Sequence, residues 1–347
     1  MTERVPRFSR RGLIVGVSTM LMMPACTHEE ETPVFEAATC LAELPEMEPP
    51  VSDVEASLAV SPDGRRVASL STVTGVLTVW DAANGDVVER TENLGGFHLQ
   101  FLGEERLVFQ SHHYLVSIDL DGQNPSSLET GHEPRMITDL GTRTINALAV
   151  LGDQVVTVGA DSRLGVFRPA TCERAELVDT TLVAASGIAP HGADAVVVAA
   201  ARSGPVRFRR GSDDGEELVA GMSNSYLAAF SADGTRLAVS GDRGATPVLV
   251  VLDADTWAVL HEVEVPSRAM SLDSHEDLWA ATTHTQPPAL VLLDTATGQQ
   301  RSLPLPERTF AARFLPDGTL LTAHAHQGVL RWDPATGEQL AQFESSA

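Results

Sequence analysis

The sequence contains no lysine, few aromatic side chains and only three cysteines. Its 24 basic residues are therefore arginines, and they stand against 47 acidic residues, which gives a net charge of −23. Because nucleic acids bind through clustered cationic side chains, this balance argues against a nucleic-acid partner. Aromatic residues make up 5% of the chain and apolar residues 43%, so the core is expected to consist mainly of Val, Ala and Leu. Side chains of this kind suit buried, pleated strands.

The first 26 residues have the pattern of an export signal. Four arginines precede an uncharged, mainly apolar stretch over residues 12–23, and Pro24-Ala25-Cys26 follows it. This stretch is shorter than the ~20 apolar residues that a helix needs to span a bilayer. Residues 1–25 are therefore expected to be a removable signal peptide.

Two short motifs in this segment resemble bacterial export motifs. The residues around Arg10-Arg11 resemble the twin-arginine motif, and Met23-Pro24-Ala25-Cys26 resembles the lipobox, whose cysteine becomes lipidated. The second resemblance implies a lipoprotein held at a membrane through Cys26, in the periplasm or at the cell surface. Thr27 replaces the aspartate associated with inner-membrane retention and favours the outer membrane. The choice between Sec and twin-arginine export stays open.

Residues 26–54 read as an extended tether. They are acidic and rich in proline and show little apolar periodicity, and such a segment cannot bury enough apolar surface to fold alone. The folded domain is expected to begin at residue 55.

Seven copies of one pattern fill residues 55–347. An apolar residue that ends a strand before a turn recurs at Val60, Phe101, Val150, Ala189, Phe230, Leu272 and Phe314. A second landmark follows each of them: Trp80-Asp81, Ile118-Asp119, Phe167-Arg168, Phe208-Arg209, Leu252-Asp253, Leu293-Asp294 and Trp332-Asp333. The copies one to seven span about residues 55–95, 96–142, 143–182, 183–222, 223–265, 266–307 and 308–347. Repeats of this length indicate a propeller or a solenoid.

Each copy predicts four short strands. Copy one places them at Glu55–Val60, Arg66–Ser71, Val76–Asp81 and Val87–Thr91, separated by turns at Asp63-Gly64, Gly75 and Asn84-Gly85. Asp-Gly and Asn-Gly pairs supply the positive φ angles of tight hairpins. Four antiparallel strands in ~42 residues make one blade of a β-propeller. The predicted fold is all-β, a seven-bladed β-propeller of four-stranded antiparallel blades.

Parts of the repeats resemble the WD40 family and the bacterial YVTN-type propellers. Residues 158–167 and 328–333 are similar to the second half of a WD40 repeat, and the Ser-Pro-Asp-Gly turns occur in both families. The sequence departs from WD40 because a Gly-His pair does not precede each inner strand. The last copy provides its own outer strand, Glu338–Phe343, but residues 33–39 could instead add a strand to that blade.

The chain offers no recognisable catalytic motif, so no catalytic residue, metal ligand or cofactor is predicted. The turns between the second and third strands nevertheless carry polar side chains that would share one rim. These candidate binding residues are His112, His113, Asp161, Arg202, Asp242, Arg243, His284, His324 and His326.

The function expected from these observations is a non-enzymatic, membrane-tethered module that binds a protein or peptide of the cell envelope. One alternative is a propeller hydrolase or lactonase with a metal at the channel rim, and another is a scaffold in outer-membrane assembly. Three convergent His, Asp or Glu side chains would favour the hydrolase. With Cys26 lipidated, Cys40 and Cys172 remain, and export would allow a disulfide between them.

Overall fold

The computed structural model describes residues 34–42, 56–72, 74–133, 135–137, 141–175, 177–191, 195–209, 215–283, 285, 287–324 and 327–344. These residues form an all-β structure of antiparallel sheets. The predicted signal peptide (residues 1–25), the predicted lipidation site Cys26 and the rim residues His284 and His326 lie outside them. No helix in the described part of the chain is long and apolar enough to cross a membrane.

The strands follow the sequence copies. Before copy one lie β1 (Phe35–Ala37) and β2 (Cys40–Leu41). Copy one has β3 (Ala56–Val60), β4 (Arg66–Ser71), β5 (Leu77–Asp81) and β6 (Val87–Thr91). Copy two has β7 (Phe97–Leu102), β8 (Arg106–Ser111), β9 (Tyr114–Asp119) and β10 (Ser126–Glu129), and a separate hairpin of β11 (Arg135–Ile137) and β12 (Gly141–Arg143) follows. Copy three has β13 (Ile145–Leu151), β14 (Gln154–Gly159), β15 (Arg163–Arg168), β16 (Glu173–Ala175) and β17 (Val178–Asp179).

The remaining copies repeat the arrangement. Copy four has β18 (Val183–His191), β19 (Ala195–Ala201), β20 (Val206–Arg209) and β21 (Gly215–Glu217). Copy five has β22 (Asn224–Phe230), β23 (Arg236–Arg243), β24 (Thr246–Asp253) and β25 (Val259–Glu264). Copy six has β26 (Ala269–His275), β27 (Leu278–Thr283), β28 (Ala289–Asp294) and β29 (Gln299–Pro304). Copy seven has β30 (Thr309–Phe314), β31 (Leu320–His324), β32 (Gly328–Trp332) and β33 (Gln339–Phe343).

Within a copy, consecutive strands pair to give a four-stranded meander, except that in copy three β16 and β17 both pair with β15. The two sequence landmarks lie on the first and third strands, and the strands predicted for copy one match the observed strands to within one residue. Copies four and five form one eight-stranded sheet, because Ala201 pairs with Asn224. The sequence therefore predicts the antiparallel four-stranded groups correctly.

Apolar side chains are buried between consecutive copies, and copy one also packs on copy seven. Leu58 and Trp80 of copy one share a buried cluster with Leu321 and Phe343 of copy seven. The first strands contact one another in the same order, and β3 contacts both β7 and β30. A four-stranded sheet has two apolar faces to cover, and packing against two neighbours covers both.

Polar side chains join first strands that do not pair through their backbones. Gln100 of β7 is typical: its amide donates to the Leu148 carbonyl at 3.1 Å, and its oxygen accepts from the Val150 N–H at 3.0 Å. Similar bonds link Asn146 to Ala185, Ser186 to Tyr226 and Ser271 to Ala312. Buried backbone groups that lack a ladder partner need such bonds, since an unsatisfied group costs about 1–3 kcal/mol.

The segment before copy one pairs with the outer strands of copies two and three. Strand β1 pairs with β16, and β2 pairs with β10. The alternative in which residues 33–39 complete the last blade is therefore wrong, because β1 lies on copy three and β33 is the outer strand of copy seven. Cys40 forms a disulfide with Cys172, in the turn after β15, with 5.8 Å between the Cα atoms. Residues 34–42 of the predicted tether are thus fixed to the sheets.

Candidate functional site

The candidate rim lies at one end of the strands. Because each copy is a meander, the turn between its second and third strands lies at the same end as the start of its first strand. Asn224, which begins β22, pairs with Asp242 near the end of β23, and Thr309 pairs with His324 in the same way. Rim residues can therefore come from these turns and from the segments that precede each first strand.

His112 and His113 occupy the exposed turn between β8 and β9. His112 has a φ of 53°, and the ring of His113 lies 4.1 Å from that of Tyr114, centroid to centroid. Their carbonyl groups accept hydrogen bonds from the hydroxyls of Thr144 and Thr130, respectively. Both histidines are thus exposed, while the two threonine hydroxyls fix the backbone of the turn.

Asp161 belongs to a buried network rather than to an open rim. Its carboxylate accepts hydrogen bonds from His132 Nδ1 at 3.0 Å and from the Glu133 N–H at 2.8 Å. His132 Nε2 lies 2.8 Å from the hydroxyl of Thr157. Burial would raise the pKa of Asp161, but the bonds from His132, Glu133 and Arg163 outweigh it and hold that pKa far below its usual range. The side chain is 3% exposed and serves to fix the turn.

His132 is the residue that the sequence reasoning missed. It follows Gly131, so a Gly-His pair does precede the inner strand of copy three. The sequence does contain a signal for this role of His132. Thr157 on β14 and Asp161 in the next turn follow it at a fixed spacing, and each can bond one imidazole nitrogen. The pair links the connection before β13 to the turn after β14.

His324 is also buried, at the end of β31. Its Nδ1 lies 3.2 Å from the Thr309 hydroxyl, and its Nε2 lies 2.7 Å from the Thr322 hydroxyl. Trp332 Nε1 donates to the same Thr322 oxygen at 2.7 Å. Burial lowers the pKa of His324 to about 4, although Glu307 acts in the opposite direction. The imidazole is therefore neutral at pH 7 and holds copy seven together rather than facing a partner.

A pH-dependent loss of stability should follow from His324. The unfolded chain takes up a proton on this imidazole near its ordinary pKa of 6.5, whereas the folded chain does so only near 4. Stability is therefore lost as the pH falls from about 6.5 towards 4. Between pH 7 and about pH 4.5, the free energy of unfolding of the wild type should fall by about 2–3 kcal/mol more than that of His324→Gln. Urea unfolding at both pH values measures this, and equal losses in the two proteins would contradict it.

Arg202 and Asp242 are brought together through a third side chain. The Arg202 N–H donates to Asn224 Oδ1 at 3.1 Å, and Asn224 Nδ2 donates to Asp242 Oδ2 at 3.1 Å. The Tyr226 hydroxyl donates to the same Asp242 oxygen. Burial and this bond raise the pKa of Tyr226 to about 12, so the phenol stays protonated. The network joins the turn of copy four to copy five.

Two further arginines border this network. Arg243 is paired with Glu262 at 2.9 Å and also donates to the Ala220 carbonyl. Arg268, just before β26, lies over the Tyr226 ring, with 4.2 Å from its Cζ to the ring centroid. Arg243 is therefore engaged by Glu262 of its own copy and by the backbone of copy four, whereas Arg268 adds an exposed cation to the rim.

Among the described residues, no group of three or more His, Cys, Asp or Glu side chains is arranged to hold a metal ion. The chain matches no model of a known protein family and no curated protein. The candidate site is therefore defined by its own geometry: buried Asp161, Asp242 and His324 hold the rim, and exposed histidines and arginines form its surface.

Proposed function

We propose that the seven copies close into a seven-bladed β-propeller and that its rim binds a protein or peptide without catalysing a reaction. The observation that carries the ring is the packing of copy seven on copy one, where Leu321 and Phe343 share a buried cluster with Leu58 and Trp80. Each copy then has two neighbours, and no sheet face is left uncovered.

At the rim, some polar side chains are buried and others are exposed, and this arrangement favours binding over catalysis. A general acid, a general base or a metal ligand has to reach a reacting group, but the side chains of Asp161, Asp242 and His324 are buried and hydrogen-bonded inside the fold. The side chains that reach solvent, among them His113 and Arg202, lie in different copies. A spread of exposed polar side chains over a rigid scaffold is typical of an interaction surface.

We further propose that the protein is an exported lipoprotein anchored through Cys26. Seven residues lie between Cys26 and Val34, the first described residue, and the eight Cα-to-Cα steps can span at most about 29 Å. Because β1 and β2 are paired to copies three and two, the attachment would hold the outer edge of these copies close to the membrane. Binding partners would then be components of the envelope or of the cell surface.

Replacing Cys26 by serine should move the protein from the membrane fraction to the soluble fraction. Several acyl chains on one residue give stable anchoring, and this variant has no site for them. Fractionation of expressing bacteria, with immunodetection of the protein, measures the shift. Thr27→Ser is the matched control and should stay with the membrane. Unchanged fractionation of Cys26→Ser would contradict the proposed anchor.

A further inference from the structure

Three arginines at the rim end of copies four, six and seven form no ion pair with the carboxylates that the structure describes. Arg202 lies in the turn between β19 and β20, and Arg268 and Arg308 immediately precede β26 and β30. Within the part of the chain that the structure describes, the ion pairs at this end involve other arginines, such as Arg163 and Arg243. Acidic residues outnumber basic ones nearly two to one in this chain. Three arginines without an ion pair among the described residues are therefore a candidate site for an anionic ligand.

The register of the first strands places Arg268 and Arg308 side by side. The Ala312 N–H donates to the Ser271 hydroxyl at 2.9 Å, and the Phe314 N–H donates to the Asp273 carboxylate at 2.6 Å. Each residue of β26 therefore lies beside the residue 41 positions later in β30. Arg268 is then level with Thr309, and Arg308 lies one residue closer to the rim.

Arg202 and Arg268 border the same polar network. The backbone of Arg202 bonds to Asn224, which bonds to Asp242, and Asp242 accepts from the hydroxyl of Tyr226. Arg268 lies on the ring of that tyrosine. Arg202 and Arg268 thus border one network, and Arg268 and Arg308 lie on neighbouring first strands; these residues are named here the arginine rim (Arg202, Arg268 and Arg308).

Aromatic rings hold two of these guanidinium groups without using their hydrogen-bond donors. Arg268 Cζ lies 4.2 Å from the centroid of Tyr226, and Arg308 Cζ lies 4.8 Å from that of Phe310. A contact with the face of a ring leaves the five N–H donors of a guanidinium free for a planar acceptor. Carboxylates are such acceptors, and they bind arginine through two parallel hydrogen bonds.

The other end of the strands carries a row of aspartates. Its turns carry aspartates that cap their own backbone: Asp63, Asp81, Asp233, Asp253, Asp294, Asp317 and Asp333. An anionic partner therefore meets a row of carboxylates at that end, whereas at the rim it meets the guanidinium groups of Arg202, Arg268 and Arg308. Carboxylates also lie at the rim end of these copies: Asp242, Glu307 and Glu217 accept bonds from Tyr226, Gln327 and Gly204, and Glu264 ends β25.

We infer that the arginine rim binds an acidic peptide segment of the partner, whose carboxylates pair with Arg202, Arg268 and Arg308. This inference rests on the proposed function, since it names the partner chemistry of that same rim. Because these arginines lie on copies four, six and seven, the inference names an extended segment with several acidic side chains rather than a single small anion.

Fluorescence anisotropy with a labelled hexaglutamate peptide tests the inference on the mature chain. The wild type should bind, and Arg268→Gln and Arg308→Gln should each raise Kd about tenfold, because each removes one charge-assisted contact. Binding should weaken as sodium chloride is raised, since exposed charges are screened. Arg65→Gln is the matched control: this arginine lies at the opposite end, its side chain is 82% exposed, and Kd should not change.

Thermal unfolding of each variant checks that the fold is kept. Failure of the wild type to bind hexaglutamate would overturn the inference, as would an equal loss of affinity in Arg65→Gln and Arg268→Gln. A hexalysine peptide separates the two proposals. If hexalysine binds and hexaglutamate does not, the rim remains a peptide-binding surface, but its preference for acidic partners is wrong.

Discussion

Replacing Cys40 and Cys172 together by serine should lower the free energy of unfolding by up to about 5 kcal/mol. The bond closes a loop with a sequence separation of 132 residues, so breaking it gives the denatured chain much more freedom. The folded state loses support as well. The Ala38 N–H donates to the Cys172 carbonyl at 2.8 Å, and Cys40 pairs with Leu128, so the disulfide keeps β1 and β2 on their partners.

Urea unfolding measures this effect. The double variant is compared with a reference protein that keeps Cys40 and Cys172, and both carry Cys26→Ser. The wild type unfolded in the presence of a reductant should lose the same stability, whereas the double variant should be insensitive to the reductant. Thiol labelling of the denatured, unreduced protein gives an independent answer. Two reactive thiols in the Cys26→Ser background would refute the bond.

Phe343→Ala should cost about 3–5 kcal/mol of unfolding free energy, as truncation of a buried aromatic side chain does. Phe343 is 1% exposed, and its ring centroid lies 6.3 Å from that of Trp80 in copy one. A Cβ atom on Gly85 would lie 2.8 Å from its ring, so this turn of copy one approaches copy seven closely. The substitution removes the largest side chain that copy seven contributes to the cluster shared with copy one.

Leu340→Ala provides the matched control on the same strand. Leu340 is 50% exposed, so its truncation should change stability by less than about 0.5 kcal/mol. Chemical unfolding measures both variants. If Phe343→Ala cost no more than Leu340→Ala, the packing of the last copy on the first would carry no stability, and the closed ring would lose its support.

The sequence predicts the strands of this protein well because the information is local. Residues such as Val60 and Trp80 recur in phase with turn residues, and hairpins between neighbouring strands need no distant contact. The pairing of β1 and β2 could not be predicted in this way. These strands have three and two residues, and they are defined by the outer strands β16 and β10, which lie far along the chain.

The rim residues show a similar limit. Position in the turns predicts that Asp161 and His324 lie at one end of the strands, but it does not predict whether a side chain points into the fold or into solvent. His324 turns inwards because Thr309 and Thr322 each bond one of its nitrogens, and those partners lie on two different strands. Arg202 of the arginine rim was predicted from its turn, but Arg268 and Arg308 were missed because they precede first strands rather than occupy turns.

Nuclear Overhauser effects between methyl groups of copies one and seven test the central claim, the closed ring, most directly. In protein with labelled leucine and valine methyl groups, cross-peaks are expected between Leu58 or Val67 and Leu321 or Val329, which share one buried cluster. These residues are separated by most of the chain, so only packing of the last copy on the first brings them together. Cross-peaks between consecutive copies without any between copies one and seven would contradict the ring.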